Sequence, residues 1–343
     1  MLEKIHSILI IILISFLAIH NPSTHLNYNI DRKDSYAIAD DIAQTDLLGV
    51  SVAIYESYLD SRVTNSITAL TNMFEWMNAT VTILNATEIA QGSLWDYDIL
   101  AIPEGLGPFH QSWLGPDGLE AIRQWVSLGG SYIGVRGSAA MAVTKSYFEG
   151  INSTFDLGLF NGTSIEVSDL DDECIAEVDL NKENSGPNLS SLPDSLSVLF
   201  WTGRYFLADE GQEMIVIATY SHNSLPAMIA SRYGSGCVFL SSPEPEYEEN
   251  NDRDGTDYKD DLDDPDSEWP LMLKISQWMV ENSTWGERPT TDTTTTNTTT
   301  TTSSLTLNET DTLQIPIEII VILSGIAIIA VILVMVVYSK RHS

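Results

Sequence analysis

Hydrophobic positions recur along the middle of the chain with two alternating periods. Val50–Tyr55 is a short apolar run with β-branched residues and reads as a strand. Ser61–Asn78 carries apolar residues at Val63, Ile67, Leu70, Phe74 and Met77, the spacing of one helix face. Thr80–Leu84 and Ile99–Pro103 read as strands. Leu119–Leu128 reads as a helix stopped by Gly129-Gly130, and Ser131–Val135 as the next strand. The small residues Gly137-Ser138-Ala139-Ala140 follow at once and can start a helix. Strands alternating with helices predict βαβ units and a mostly parallel sheet. The second half is richer in strands: Ile165–Val167, Ile175–Leu180, Val198–Phe200, Met214–Tyr220, Ala227–Ser231 and Cys237–Ser241, closed by a helix at Leu271–Val280. The fold class expected is therefore α/β.

The two ends of the chain have a different pattern. Ile8–Ile19 is an apolar stretch behind Lys4, the length of a signal-peptide core, with an uncleaved anchor as the alternative. Ile319–Tyr338 is apolar and free of charge, long enough as a helix to cross about 30 Å of hydrocarbon. Lys340 and Arg341 follow it and predict a cytoplasmic C-terminus. Thr290–Thr312, nearly all Thr, Ser, Asn and Asp, reads as a disordered stalk of the O-glycosylated kind. The organisation expected is a leader at 1–39, an ectodomain at 46–286, a stalk at 287–314, a transmembrane helix at 315–338 and a cytoplasmic tail at 339–343. The protein is thus expected at the cell membrane, single-pass, with its globular part outside.

Charge and modification motifs fit that topology. The formal net charge of −32 excludes nucleic acid as a partner and favours cations or basic partners. Eight Asn-x-Ser/Thr sequons lie at Asn78, Asn85, Asn152, Asn161, Asn188, Asn282, Asn297 and Asn308. The two cysteines, Cys174 and Cys237, form one disulfide outside the cell or remain as two buried thiols.

Two segments carry a resemblance. They are YDILAIPEGLG with IRQWVSLGGSYIGVRGSAAMA, and LPAMIASRYGSGCVFLSSPEPEYEE. In their order they resemble the class I glutamine amidotransferase-like superfamily, most of all its branch related to the N-terminal domain of biotin-protein ligase. VLFWTGRYF sits where that branch has a Gly-containing turn near the pocket. The resemblance covers about residues 48–282 and implies a flavodoxin-like sandwich.

It also implies a catalytic Cys at the turn after the Gly-Gly strand, where this chain has Arg136, followed by Gly137. The activating His falls at Glu244, and the acid of the family is matched by Glu246. The turn that contributes to the oxyanion hole reads Pro103-Glu104-Gly105. A guanidinium stays protonated and cannot attack a carbonyl, so the family's thiol chemistry is not expected. Arg136 and Glu244 are expected to form a bidentate ion pair. That pair is either a structural filling of the old site or, with Glu104, Gly105 and Glu246, a ligand pocket. A displaced hydrolase built on Ser138 and His110 is a further alternative.

Residues 244–268 hold thirteen acids and two bases. Within them Asn250, Asp252, Asp254, Thr256 and Asp261 nearly match the ligand spacing of a calcium loop, with Gly255 at its turn. The choice is between a Ca²⁺ site and a solvated acidic loop. Three functions remain open: a membrane-displayed binding module, calcium-dependent or not; an enzyme with relocated residues; and a structural envelope protein.

Overall fold

The structure, a computed structural model, describes residues 47–57, 61–248, 252–262, 264 and 266–285. The leader, the stalk and the apolar stretch at 319–338 lie outside the described residues. Among those described, no helix is long and apolar enough to cross a membrane.

The first half alternates as its periodicity requires. Strand β1 (Ser51–Tyr55) leads to helix α1 (Ser61–Trp76), which buries Val63, Ser66, Ala69, Leu70, Met73 and Phe74 on one face. Strand β2 (Thr80–Leu84) is followed by the short helix α2 (Ala86–Ala90). Asn85 caps it by accepting from the N–H groups of Thr87 and Glu88. Glu88 returns the contact by accepting from the Asn85 N–H at 2.8 Å. Then come β3 (Ile99–Ile102), α3 (Gly107–Ser127), β4 (Ser131–Val135) and α4 (Gly137–Ala142).

Helix α3 starts twelve residues before the expected Leu119. Its pattern is interrupted by Gly115, non-helical at φ 63° and ψ 176°, and by Pro116. These two breakers separate two helical segments that meet at a kink, and the second segment carries the helix expected from Leu119.

The second half contains β5 (Val143–Phe148), β6 (Ile151–Thr154), β7 (Phe160–Glu166), β8 (Glu173–Leu180) and β9 (Ser195–Trp201). It continues with β10 (Arg204–Ala208), β11 (Ile215–Tyr220), β12 (Pro226–Tyr233), β13 (Gly236–Ser241) and helix α5 (Trp269–Asn282). The main sheet has nine strands in the order β2-β1-β3-β4-β13-β12-β11-β8-β9. β2, β1, β3, β4 and β13 pair in parallel. From β13 onward through β12, β11, β8 and β9 every pairing is antiparallel. The sheet is mixed, so the expected mostly parallel sheet holds only for the half that the helices cross. A second sheet, β10-β7-β5-β6, stands apart from it.

Alternation along the central strands divides the core into two layers. Phe239 of β13 and Ile133 of β4 pack with Met73, Phe74, Trp269 and Met272 of α1 and α5. Their neighbours Val238, Leu240 and Tyr132 face Leu119, Ile122 and Trp125 of α3. Helices thus cover both faces of the parallel half, as buried parallel strands require.

The disulfide reading is corrected by this topology. Cys174 lies in β8 and Cys237 in β13, three strand spacings apart, or about 14 Å. A disulfide needs Cα atoms within about 7 Å, and both thiols are free.

Phe239 is fully buried at the seam between the parallel and antiparallel halves. Phe239→Ala should cost about 3–5 kcal/mol in urea unfolding of the full-length chain. A loss under about 1 kcal/mol would contradict this placement of the core.

Candidate functional site

The C-terminal ends of adjacent parallel strands open toward one region, where loops of α/β sheets collect ligands. β3 delivers Glu104, β4 delivers Arg136, and β13 delivers Glu244 and Glu246. The antiparallel strand β9 adds Trp201, and α1 adds Ser66.

Arg136 occupies a sharp turn between β4 and α4, at φ 53° and ψ −109°. Such a backbone costs about 1–3 kcal/mol outside glycine. The turn is pinned from both sides: the Arg136 N–H donates to the Ser241 carbonyl at 2.7 Å, and the Ala140 N–H to the Arg136 carbonyl at 3.0 Å. Gly137 must be glycine, because a Cβ there would lie 1.6 Å from the Gly105 carbonyl oxygen. That oxygen is an acceptor pressed against the turn, where an oxyanion hole would need donors.

Each nitrogen of the guanidinium makes one hydrogen bond. Nη1 donates to Glu104 Oε2 at 2.7 Å, Nε to the Trp201 carbonyl at 2.8 Å, and Nη2 to Thr202 Oγ1 at 3.0 Å. The expected bidentate pair with Glu244 is therefore corrected: Arg136 pairs with Glu104, and Glu244 stands 3.8 Å from Nε. The reason is geometric. β3 lies beside β4 in the sheet, and the Nε hydrogen that a fork to Glu244 would use goes to a backbone carbonyl.

Two carboxyl groups, those of Glu104 and Glu244, share this cation, and Glu246 is buried close to both. Glu104, Glu244 and Glu246 are 0% exposed and Arg136 is 7% exposed. Burial, then the neighbouring Glu104, holds Glu244 well above the usual carboxylate range, against the pull of Arg136. Among the described residues neither oxygen of Glu244 has a hydrogen-bond partner. Burial also pushes Glu246 up to about 8. Its Oε1 accepts from Ser66 Oγ at 2.6 Å, and its Oε2 has no partner. The Ser66 oxygen in turn accepts from the Glu104 N–H at 3.1 Å.

An aromatic cover closes the cluster. Tyr258 stacks on Trp201 with ring planes 9° apart, and its centroid lies 4.9 Å from that of Tyr247. Tyr247 Oη donates to Glu104 Oε1 at 3.4 Å. Arg62, Lys259 and Arg136 approach the Trp201 ring at 4.8, 5.2 and 5.3 Å. Sequence reasoning missed Tyr247, Tyr258 and Lys259 as site residues. The signal was their presence within the acidic run that directly follows β13.

The relocated hydrolase finds no support here. Ser138 Oγ contacts the Ile102 and Val135 carbonyls, both at 2.7 Å, and accepts from the Val135 N–H at 2.8 Å. It ties the turn to the sheet. His110 is buried beneath Gly105, with Nε2 3.2 Å from the Glu104 carbonyl, and burial lowers it to about 4. A groove of about 600 Å³ at the α3 kink, lined by Gln111, Gly115, Pro116 and Arg123, belongs to neither set of residues.

The calcium-loop residues do not assemble either. Asp254 turns inward, accepting from the N–H groups of Glu248 and Thr256 at 3.1 and 2.8 Å. Asp261 is exposed, and Asn250 lies outside the described residues. Among the described residues no three His, Cys, Asp or Glu converge to hold a metal ion. The spacing matches, but the Asp254 oxygens serve turn N–H groups instead of facing a common centre.

Of the sequons, Asn78, Asn152, Asn161 and Asn188 are exposed. Asn85 serves as the α2 cap, and Asn282 Nδ2 donates to the Trp278 carbonyl at 2.9 Å. Asn297 and Asn308 lie outside the described residues.

No protein-family profile and no curated protein matches the chain. Among solved structures it is similar to a ThuA-like protein from Bacteroides uniformis at 11% identity, covering 73% of this chain and 97% of that one, with a TM-score of 0.46. It is also similar to a glutamine amidotransferase from Thermotoga maritima at 12% identity, covering 68% and 90%, with a TM-score of 0.40. A further glutamine amidotransferase is 16% identical over 57% of this chain and 90% of that one, with a TM-score of 0.42.

Glu246 binds a proton on folding at any pH between its ordinary 4.5 and its folded value of about 8. Its contribution is complete below 4.5 and is lost as pH rises toward 8, at up to about 1.4 kcal/mol per pH unit. Glu246→Gln should remove that loss. Chemical unfolding from pH 5 to 7.5 should show the variant gaining steadily on the wild type; parallel profiles would contradict the burial of an acid here.

Proposed function

We propose that this chain is a catalytically silent amidotransferase-like domain, displayed on a membrane as a binding module. The carrying observation is the Arg136–Glu104 pair at 2.7 Å, with the guanidinium filling the place where the family keeps its nucleophile. The motif order Pro103-Glu104-Gly105, Arg136-Gly137 and Pro243-Glu244-Pro245-Glu246 supports descent from the branch related to the N-terminal domain of biotin-protein ligase. Display rests on the apolar stretches at 8–19 and 319–338 and on the Thr-rich tract between domain and anchor. An exported acidic domain with no nucleophile serves by what it holds rather than by what it converts.

The test is chemical. The full-length chain should release no ammonia from glutamine above the blank, and Arg136→Cys with Glu244→His should gain a thiol that reacts with iodoacetamide. Ammonia release by the wild-type chain would sink the silent-domain reading.

A further inference from the structure

Whatever the domain holds must suit a cluster with more acid than base. Beside Trp201 and Tyr258 lie three fully buried carboxyl groups, two of them within 3.8 Å of the Arg136 guanidinium, which donates to Glu104, Thr202 and a carbonyl. Both oxygens of Glu244, Oε2 of Glu246 and the Tyr258 hydroxyl are buried and receive no donor from the described residues. Buried acceptors left in this way are uncommon in native proteins and point to a missing donor. The aromatic walls point to the sign of its charge. Trp201 already draws three side-chain cations to within 5.3 Å of its ring, and one of them, Lys259, arrives on the acidic run from outside the sheet.

Resting on the silent-domain reading, we propose that this buried cluster is a binding site for a small organic ammonium. The ammonium N–H groups donate to Glu244 and Glu246, and its charge lies beside the faces of Trp201 and Tyr258. Lys259 holds a neighbouring cation position in the free protein, paired with Glu173. A metal ion fits less well, because no three of the described acids converge on one point. An ammonium asks less of them. It needs two or three acceptors at hydrogen-bond distance and an aromatic face, rather than a closed shell of oxygens. The net charge of −32 draws such a cation toward the domain.

Methylammonium is the probe, with tetramethylammonium as the probe that has charge but no N–H. Calorimetric titration of the full-length chain should show saturable methylammonium binding by about 10 mM, and tetramethylammonium should bind at least tenfold more weakly. Glu244→Gln and Glu246→Gln should each weaken methylammonium by about tenfold or more. Lys259→Met, which removes the resident competitor, should tighten it severalfold; unfolding midpoints would verify that each variant is folded. Absence of saturable heat in both the wild type and Lys259→Met would overturn the proposal, as would binding indifferent to Glu244 and Glu246. Ammonia release from glutamine would overturn the reading underneath instead, so the two failures remain distinct.

Discussion

A guanidinium removed from water must be met by carboxylates and carbonyls, and a carboxylate removed from water must be met by a cation or a proton. The region around Arg136 satisfies both demands with one set of residues. Glu104 takes the charge, Trp201 and Thr202 take the remaining hydrogens, and Glu244 and Glu246 are left to hold protons. The strained turn at Arg136 persists because this network and the two backbone bonds around it over-determine its conformation.

The sheet explains why these groups meet. The parallel pairings of β3, β4 and β13 bring the ends of three strands to neighbouring positions, each followed by a loop with a charged residue. The antiparallel half then turns β9 so that Trp201 covers what the parallel half has gathered. The acidic run after β13 closes the arrangement through Tyr247, Tyr258 and Lys259. Asp254 serves the loop itself, binding the N–H groups of Glu248 and Thr256, and Asp266 accepts from the Ser197 N–H of β9.

How much of this was legible in the sequence follows from how local each signal is. The helix face of Val63, Leu70 and Phe74, the stop at Gly129-Gly130 and the turn at Arg136 depend on neighbours within a few residues, and all are where their patterns place them. The helical segment from Leu119 was legible, while the segment that precedes the kink at Gly115-Pro116 was not. Strands β5, β6 and β10 carry few buried apolar residues, so period two gave little contrast. The membership of the charged site was legible at Glu104, Arg136, Glu244 and Glu246, but the pairing was not. Which carboxylate Arg136 selects depends on strand order and on a carbonyl at Trp201, neither of which spacing encodes. Within the calcium-like spacing, Asp254 serves a turn that satisfies its own backbone, a use that spacing does not distinguish from a metal ligand.

The central claim is that Arg136 and Glu104 form one buried unit. A double-mutant cycle with Arg136→Met, Glu104→Gln and both together, measured by urea unfolding of the full-length chain, tests it most directly. Arg136→Met alone should cost about 3–5 kcal/mol, because it strands a buried carboxylate, and adding Glu104→Gln should recover much of that loss. Simple additivity of the two losses would contradict the account.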